Sequence, residues 1–330
     1  MKPITGLKLN PKHLLVCLLA VFLVPSFLVS PCFSKSRKNV TKLYSDYLNG
    51  LHYFQRGEYE TALDSFRAAK DKDPDSVHLS LKLAAALIRL ERMDEAEEVL
   101  LKAKKADPDN LDISLVLIFI YSLTHDDQQL EVEYENFLKK AHELKPKDLG
   151  ISEYLAQFYF YKNKPTEAIK VYEKILESNP NHVGAIFWLG YLYDESGRRK
   201  EAIDVWKKGL AIDESHAPIL NSLGYVYTLE GENLDQAKTM IEKALEQEPE
   251  NGAYLDSLGW VYFKLGNLEK AKEYLEKAIA NIKDPEIFEH LGDLYAETGE
   301  PAKGLEYYKE GLAHFPNHSS LKKKIERYEK

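Results

Sequence analysis

A motif that returns at a fixed spacing constrains a fold more tightly than composition does, because one packing solution has to serve every copy. In this sequence a Gly or Ala is followed three residues later by Tyr or Leu. About twelve residues after the first small residue comes another, and about sixteen after it a bulky apolar residue. The series runs Gly50, Tyr53, Ala62, Phe66; then Ala84, Leu87, Ala96, Leu100; then Ala156, Tyr159, Ala168, Tyr172. It continues with Gly190, Tyr193, Ala202, Trp206; Gly224, Tyr227, Ala237, Ile241; Gly259, Tyr262, Ala271, Leu275; and Gly292, Tyr295, Gly304, Tyr308. Pro74, Pro108, Pro146, Pro180, Pro249 and Pro316 close most copies. The period is 34 residues, with units at 43–76, 77–110, 111–148, 149–182, 183–216, 217–251, 252–284 and 285–318.

The spacing predicts two helices per unit. A small residue belongs where the paired helices approach closest, and the Tyr and the later aromatic fill the groove between units. Pro ends the second helix, because it has no amide hydrogen and restricts the residue before it. One helix pair cannot bury its apolar face, so neighbours must stack. Residues 319–330 read as a capping helix with Ser319 or Ser320 at its start and a polar outer face of Lys322, Lys323, Lys324, Glu326, Arg327 and Glu329. The third unit is the irregular one. Its extra residues are expected in the turn around Thr124–Asp127, as a neutral insertion or as a partner-contacting bulge.

These residues resemble the tetratricopeptide repeat, whose signature of Leu-Gly, Tyr, Ala, aromatic and Pro they match over residues 43–318. The resemblance implies an all-α fold, a right-handed superhelical solenoid of about eight helix-turn-helix units with a carboxyl-terminal cap. It also implies a groove lined by the fifth, ninth and twelfth residues of each unit, able to hold an extended peptide or a partner helix. From the middle of the chain onward those slots give Phe187, Tyr191, Asn221, Tyr225, Asp256, Trp260, Phe263, Glu289 and Asp293 as candidate partner-binding residues. The rival reading of the aromatics among them is packing against the next unit. Members that bind acidic chaperone tails use a basic clamp of Lys, Asn and Arg. The matching slots here carry no such set, so a basic or aromatic partner segment fits better.

No phosphate-binding loop, zinc helix or nucleophile elbow occurs. His314 and His318 are spaced i, i+4, but Pro316 lies between them, so no metal site is expected there. The repeats claim every long tract and leave no room for a catalytic domain. The expectation is a protein that is not an enzyme, with no cofactor. The net charge of −9 disfavours nucleic acid, whose phosphates call for excess Lys and Arg.

The first 34 residues read as an address. Lys2, Lys8 and Lys12 precede an apolar run from Leu14 to Ser30, and no Asp or Glu occurs before Asp46. This is the pattern of a secretory signal. The run reaches the lower limit of a membrane span, which leaves an uncleaved anchor open. Cys32, preceded by Leu28-Val29-Ser30-Pro31, loosely resembles a lipoprotein box, although a small residue is expected where Pro31 stands. Residues 35–42 read as a short linker. The whole suggests an exported scaffold or adaptor of a bacterial envelope, periplasmic or membrane-anchored, touching the membrane only through its amino terminus. The alternative is an accessory subunit presenting substrate to an envelope glycosyltransferase, peptidoglycan enzyme or polysaccharide exporter.

Overall fold

The computed structural model describes residues 37–328, and every regular element among them is an α-helix. The helices are α1 (Arg37–Gln55), α2 (Tyr59–Lys70), α3 (Val77–Arg89), α4 (Met93–Ala106), α5 (Leu111–Thr124), α6 (Asp127–Leu144), α7 (Leu149–Tyr161) and α8 (Pro165–Ser178). They continue as α9 (Val183–Glu195), α10 (Arg199–Ile212), α11 (Ala217–Glu230), α12 (Leu234–Gln247), α13 (Gly252–Lys264), α14 (Leu268–Asn281), α15 (Pro285–Glu297), α16 (Pro301–His314) and the cap α17 (Ser319–Tyr328). The described residues fall into two compact units, one ending at Phe158 and the other beginning at Tyr159. The candidate signal, with Cys32, lies outside the described residues. Residues 37–42 of the 35–42 segment read as linker are already helical within α1.

The small residues sit where the sequence places them, and the contact shows why. A Cβ added to Gly190 would lie 2.3 Å from the Trp206 ring, and one added to Gly292 would lie 2.0 Å from the Tyr308 ring. Gly50 meets Phe66 in the same way, and Gly259 meets Leu275. The later bulky residue therefore packs inside its own helix pair. This corrects the expectation that it fills the groove between pairs: the missing side chain of the Gly is the hole it enters.

The first tyrosine does reach the neighbouring pair. Tyr121 Oη donates to Glu97 at 3.0 Å, Tyr193 to Glu173 at 2.8 Å, Tyr262 to Glu242 at 3.3 Å and Tyr295 to Glu276 at 2.6 Å. In each case the glutamate is on the second helix of the preceding pair. A basic residue of the following turn covers several of the same rings, with Arg198 4.0 Å from Tyr193 and Lys303 4.1 Å from Tyr295. The rung fixes the register between pairs.

Each turn within a pair holds at least one left-handed residue. Gly197 supplies it at φ 75°, and Glu91 holds the same conformation at φ 60°. The turns between pairs end in a cap: Ser76, Asn110 and Asn251 accept from backbone amides at the starts of α3, α5 and α13. His182 and His216 do so at α9 and α11 through Nδ1. These histidines, which as single scattered copies read as surface or packing residues, are helix caps.

The third unit differs from expectation. Its extra residues do not enlarge the turn: α6 is 18 residues long, against 14 for α4. His125 ends α5 in the left-handed region, and Asp126 immediately caps α6 by accepting from Gln129 at 3.0 Å. The turn is thereby closed at minimal length. The lengthened helix is tied down by buried Glu133, which accepts from Lys104 of α4.

Candidate functional site

In the unit that begins at Tyr159, the first helices α9, α11, α13 and α15 present one row of side chains. The nine candidate residues lie on them. α13 is buried on every side: each residue from Gly252 to Tyr262 is out of solvent. A helix apolar all round belongs in a core, yet this one carries a carboxylate. Asp256 is 0% exposed.

Asp256 Oδ1 accepts from His290 Nδ1 at 2.9 Å. Burial opposes charge on the His290 ring, but the adjoining Asp256 carboxylate outweighs it and raises the ring above its ordinary pKa. Burial likewise raises the Asp256 carboxyl. Trp260 stacks on His290 with centroids 3.9 Å apart, and on Phe263 at 4.6 Å. The phenol of Tyr225 donates to Glu286 of α15, reaching past α13 altogether. Burial and the carboxylates Glu286 and Asp256 push that phenol well above its ordinary range.

The face is thus more enclosed than the sequence suggests. Asn221, Tyr225, Asp256 and Trp260, read as open groove positions, are all buried, because α11, α13 and α15 close on one another. Trp260 in particular spends its ring on His290 and Phe263. Tyr191 is buried too, within a cluster that includes Phe160 at 5.7 Å and Trp188 at 6.0 Å. Phe187 and Phe263 remain half-buried at the rim. Glu289 faces His318 at 3.3 Å. Asp293 is paired with Lys324 of the cap at 2.5 Å and accepts from Tyr308 at 2.6 Å. The two acids at the carboxyl end of the row are therefore partly neutralised, Asp293 by the cap and Glu289 by His318 just before it. His314, considered for a metal site, instead stacks on Phe288.

On α9, α11 and α13 four buried polar atoms of this row have no hydrogen-bonding partner: Tyr191 Oη, Asn221 Oδ1, Asp256 Oδ2 and Trp260 Nε1. Such orphans are rare in native proteins, where buried polar groups are paired. Three residues central to the site, His290, Glu286 and Trp188, fall outside the fifth, ninth and twelfth positions, so the slot rule misses them. The available signals are the single histidine in the apolar run Ile287-Phe288-Glu289-His290-Leu291 and the acidic pair around Pro285.

These features define a helical-repeat protein whose successive first helices pack side by side. The model of the tetratricopeptide repeat matches residues 53–121, 159–223 and 229–291, more than half of the chain, and the protein belongs to that family. The chain is 36% identical over 77 residues to a TPR repeat-containing protein of Methanocaldococcus jannaschii, covering 23% of this chain and 14% of that one. It is 38% identical over 58 residues to a TPR repeat-containing protein of Pseudomonas aeruginosa, covering 18% and 10%. The matches thus span about a seventh or less of those relatives. Among solved structures it is similar to the APC/C hetero-tetramer Cut9–Hcn1, with a TM-score of 0.55 at 16% identity, covering 82% of this chain and 52% of that one. That likeness is one of fold. TPR proteins in general bind protein partners and are non-catalytic.

Proposed function

We propose that this protein is an adaptor whose first-helix face between Tyr159 and the cap holds an extended segment of a partner protein. The observation that carries this reading is the set of four unpartnered polar atoms. Asn221 Oδ1 and Asp256 Oδ2 accept, Trp260 Nε1 donates, and Tyr191 Oη can do both. An extended peptide brings donors and acceptors in alternation, and it answers these atoms where the first helices part to admit it. Half-buried Phe187 and Phe263 add apolar rim surface, the usual setting of binding hot spots. With the basic and apolar character of residues 1–34, the same reading makes the protein an exported adaptor working at a cell envelope.

The test is site-directed photocrosslinking in the source cells. Benzoylphenylalanine is placed at Phe263 and, as control, at exposed Lys208 on the second-helix face. A partner captured from position 263 and absent from 208 supports the reading; equal capture at both positions removes it. Fractionation of the same cells tests location: recovery in the cytoplasm would refute export.

A further inference from the structure

We propose that the outer face of α1 is a docking surface for an anionic lipid membrane. The inference goes beyond the adaptor reading and is independent of the face around Asp256. With the proposed envelope location it shares only the apolar run from Leu14 to Ser30.

The first observation is what α1 exposes. Tyr44 and Leu48, one turn apart, are 39% and 60% exposed. In the repeat, Tyr44 holds the place of His78, and Leu48 holds the place of His290. Both histidines meet the preceding first helix, His78 at Tyr47 and His290 at Asp256. Among the described residues no helix precedes α1, so its two corresponding places stand open. The same side of α1 carries Thr41, Ser45, His52 and Gln55, all exposed and none of them a carboxylate. Lys42 is exposed beside them. The only acid of α1, Asp46, is half-buried and paired with Lys72 at 2.8 Å. An acid-free face stands out in a chain with 53 acidic residues against 44 basic ones.

The second observation is charge. Lys35, Arg37, Lys38 and Lys42 follow one another closely, and no Asp or Glu occurs before Asp46. A basic cluster joined to exposed aromatic and aliphatic residues is the make-up of a helix that lies along an anionic bilayer surface. Tyr suits the headgroup level, with an apolar ring and a polar tip.

The third observation is reach. The apolar run ends at Ser30, and α1 begins at Arg37. The connection spans at most about 25 Å at full extension. A membrane that takes up the run therefore lies within reach of the face. A second copy fits less well. Two α1 faces would bring their lysines together, and the cap exposes Lys322, Lys323 and Arg327. An acidic protein would answer the lysines but not the nearness of the apolar run.

The experiment puts an environment-sensitive NBD dye on the full chain through Leu48→Cys, with Cys17→Ser and Cys32→Ser. The control dye is attached through Lys208→Cys, at an exposed position of α10. Each chain is reconstituted with vesicles of phosphatidylcholine alone, or of phosphatidylcholine mixed with phosphatidylglycerol. The dye at 48 should brighten and shift to the blue on the anionic vesicles only, and salt should shrink the gain. The dye at 208 should not respond. Lys42→Glu, checked for an unchanged melting profile, should lower the ratio of docked to free face about fivefold for each unit of charge lost. Vesicle-bound chain with a silent dye at 48 would overturn the assignment, since the apolar run alone would then hold the chain. An equal response on both kinds of vesicle would overturn the choice of anionic lipid. A response without vesicles would overturn the proposal by showing the face covered by protein. The cover would be a second copy if the response grows with concentration, and the chain's own residues 1–36 if it does not. None of these outcomes bears on capture at Phe263, so the adaptor reading stands or fails separately.

Discussion

His290 lies flat against Trp260, the two rings 3.9 Å apart and 14° from parallel, while its Nδ1 holds Asp256 at 2.9 Å. One imidazole thus joins an indole, a buried carboxylate and two helices, α13 and α15. Trp260 is a packing residue, buried with its ring against His290 and Phe263. Trp260→Ala should therefore destabilise the fold by about 3–5 kcal/mol, the usual cost of emptying a buried aromatic site. Urea unfolding checks this; a loss under 1 kcal/mol would mean that the ring stands free in a groove.

The Asp256–His290 pair should make stability fall as pH rises. Both groups have folded pKa values above their ordinary ones, 3.8 for Asp and 6.5 for His. A raised folded value stabilises the fold fully below the unfolded pKa, and that contribution is lost as pH climbs through the folded one. For His290 the window opens above 6.5. Unfolding free energies measured from pH 5 to 9 should decline across it, and His290→Gln should flatten the decline. A rise with pH that depends on His290 would contradict the pairing.

Tyr225 and Glu286 should behave as one unit. Tyr225→Phe takes one donor from the half-buried Glu286 carboxylate, at a cost of about 1 kcal/mol. Adding Glu286→Gln should cost much less than the sum of the single changes. A double-mutant cycle reads the coupling, expected at about 1 kcal/mol or more for groups in contact.

The close approach within pairs is tested by Gly292→Ala. Alanine gains about 1 kcal/mol in helix propensity. Against it stands a Cβ 2.0 Å from a Tyr308 ring carbon, in a ring that is 0% exposed and held by Asp293. Overpacking costs about 1–3 kcal/mol, and an overlap this deep belongs at the upper end. A net loss of about 1–2 kcal/mol in chemical denaturation is expected; a gain would show that the helices can part freely.

The rungs between pairs predict a smaller effect. Tyr295→Phe removes the bond to Glu276 at 2.6 Å but keeps the ring under Lys303. The expected loss is about 0.5–1.5 kcal/mol. Glu276→Gln should recover part of it when combined with Tyr295→Phe.

The fold was legible because its signal is repeated. Each Gly-to-aromatic spacing states the same close contact, and one misread copy is outvoted by the others. What escaped was whatever happens once. The four additional residues of the third unit extend α6 rather than the turn, since His125 and Asp126 stop one helix and start the next with nothing between them to lengthen. The site was legible as a face but not as a depth. The repeat positions put Asn221, Tyr225, Asp256 and Trp260 in one row correctly. Their burial depends on Tyr225 meeting a glutamate 61 residues away, a contact no 34-residue period encodes. His290 and Glu286 occupy positions that the slot rule leaves blank, so their chemistry emerged only when the helices were placed side by side.

The Tyr225–Glu286 contact changes how this stretch of chain comes apart. In a linear array where every pair touches only its neighbours, unravelling starts at an end and moves inward one pair at a time. Here a fastener skips the intervening pair, so α11, α13 and α15 open together or stay shut together. The polar atoms around Asp256 sit inside that fastened span. They stay enclosed while the terminal cap frays, and come into solvent in a single step.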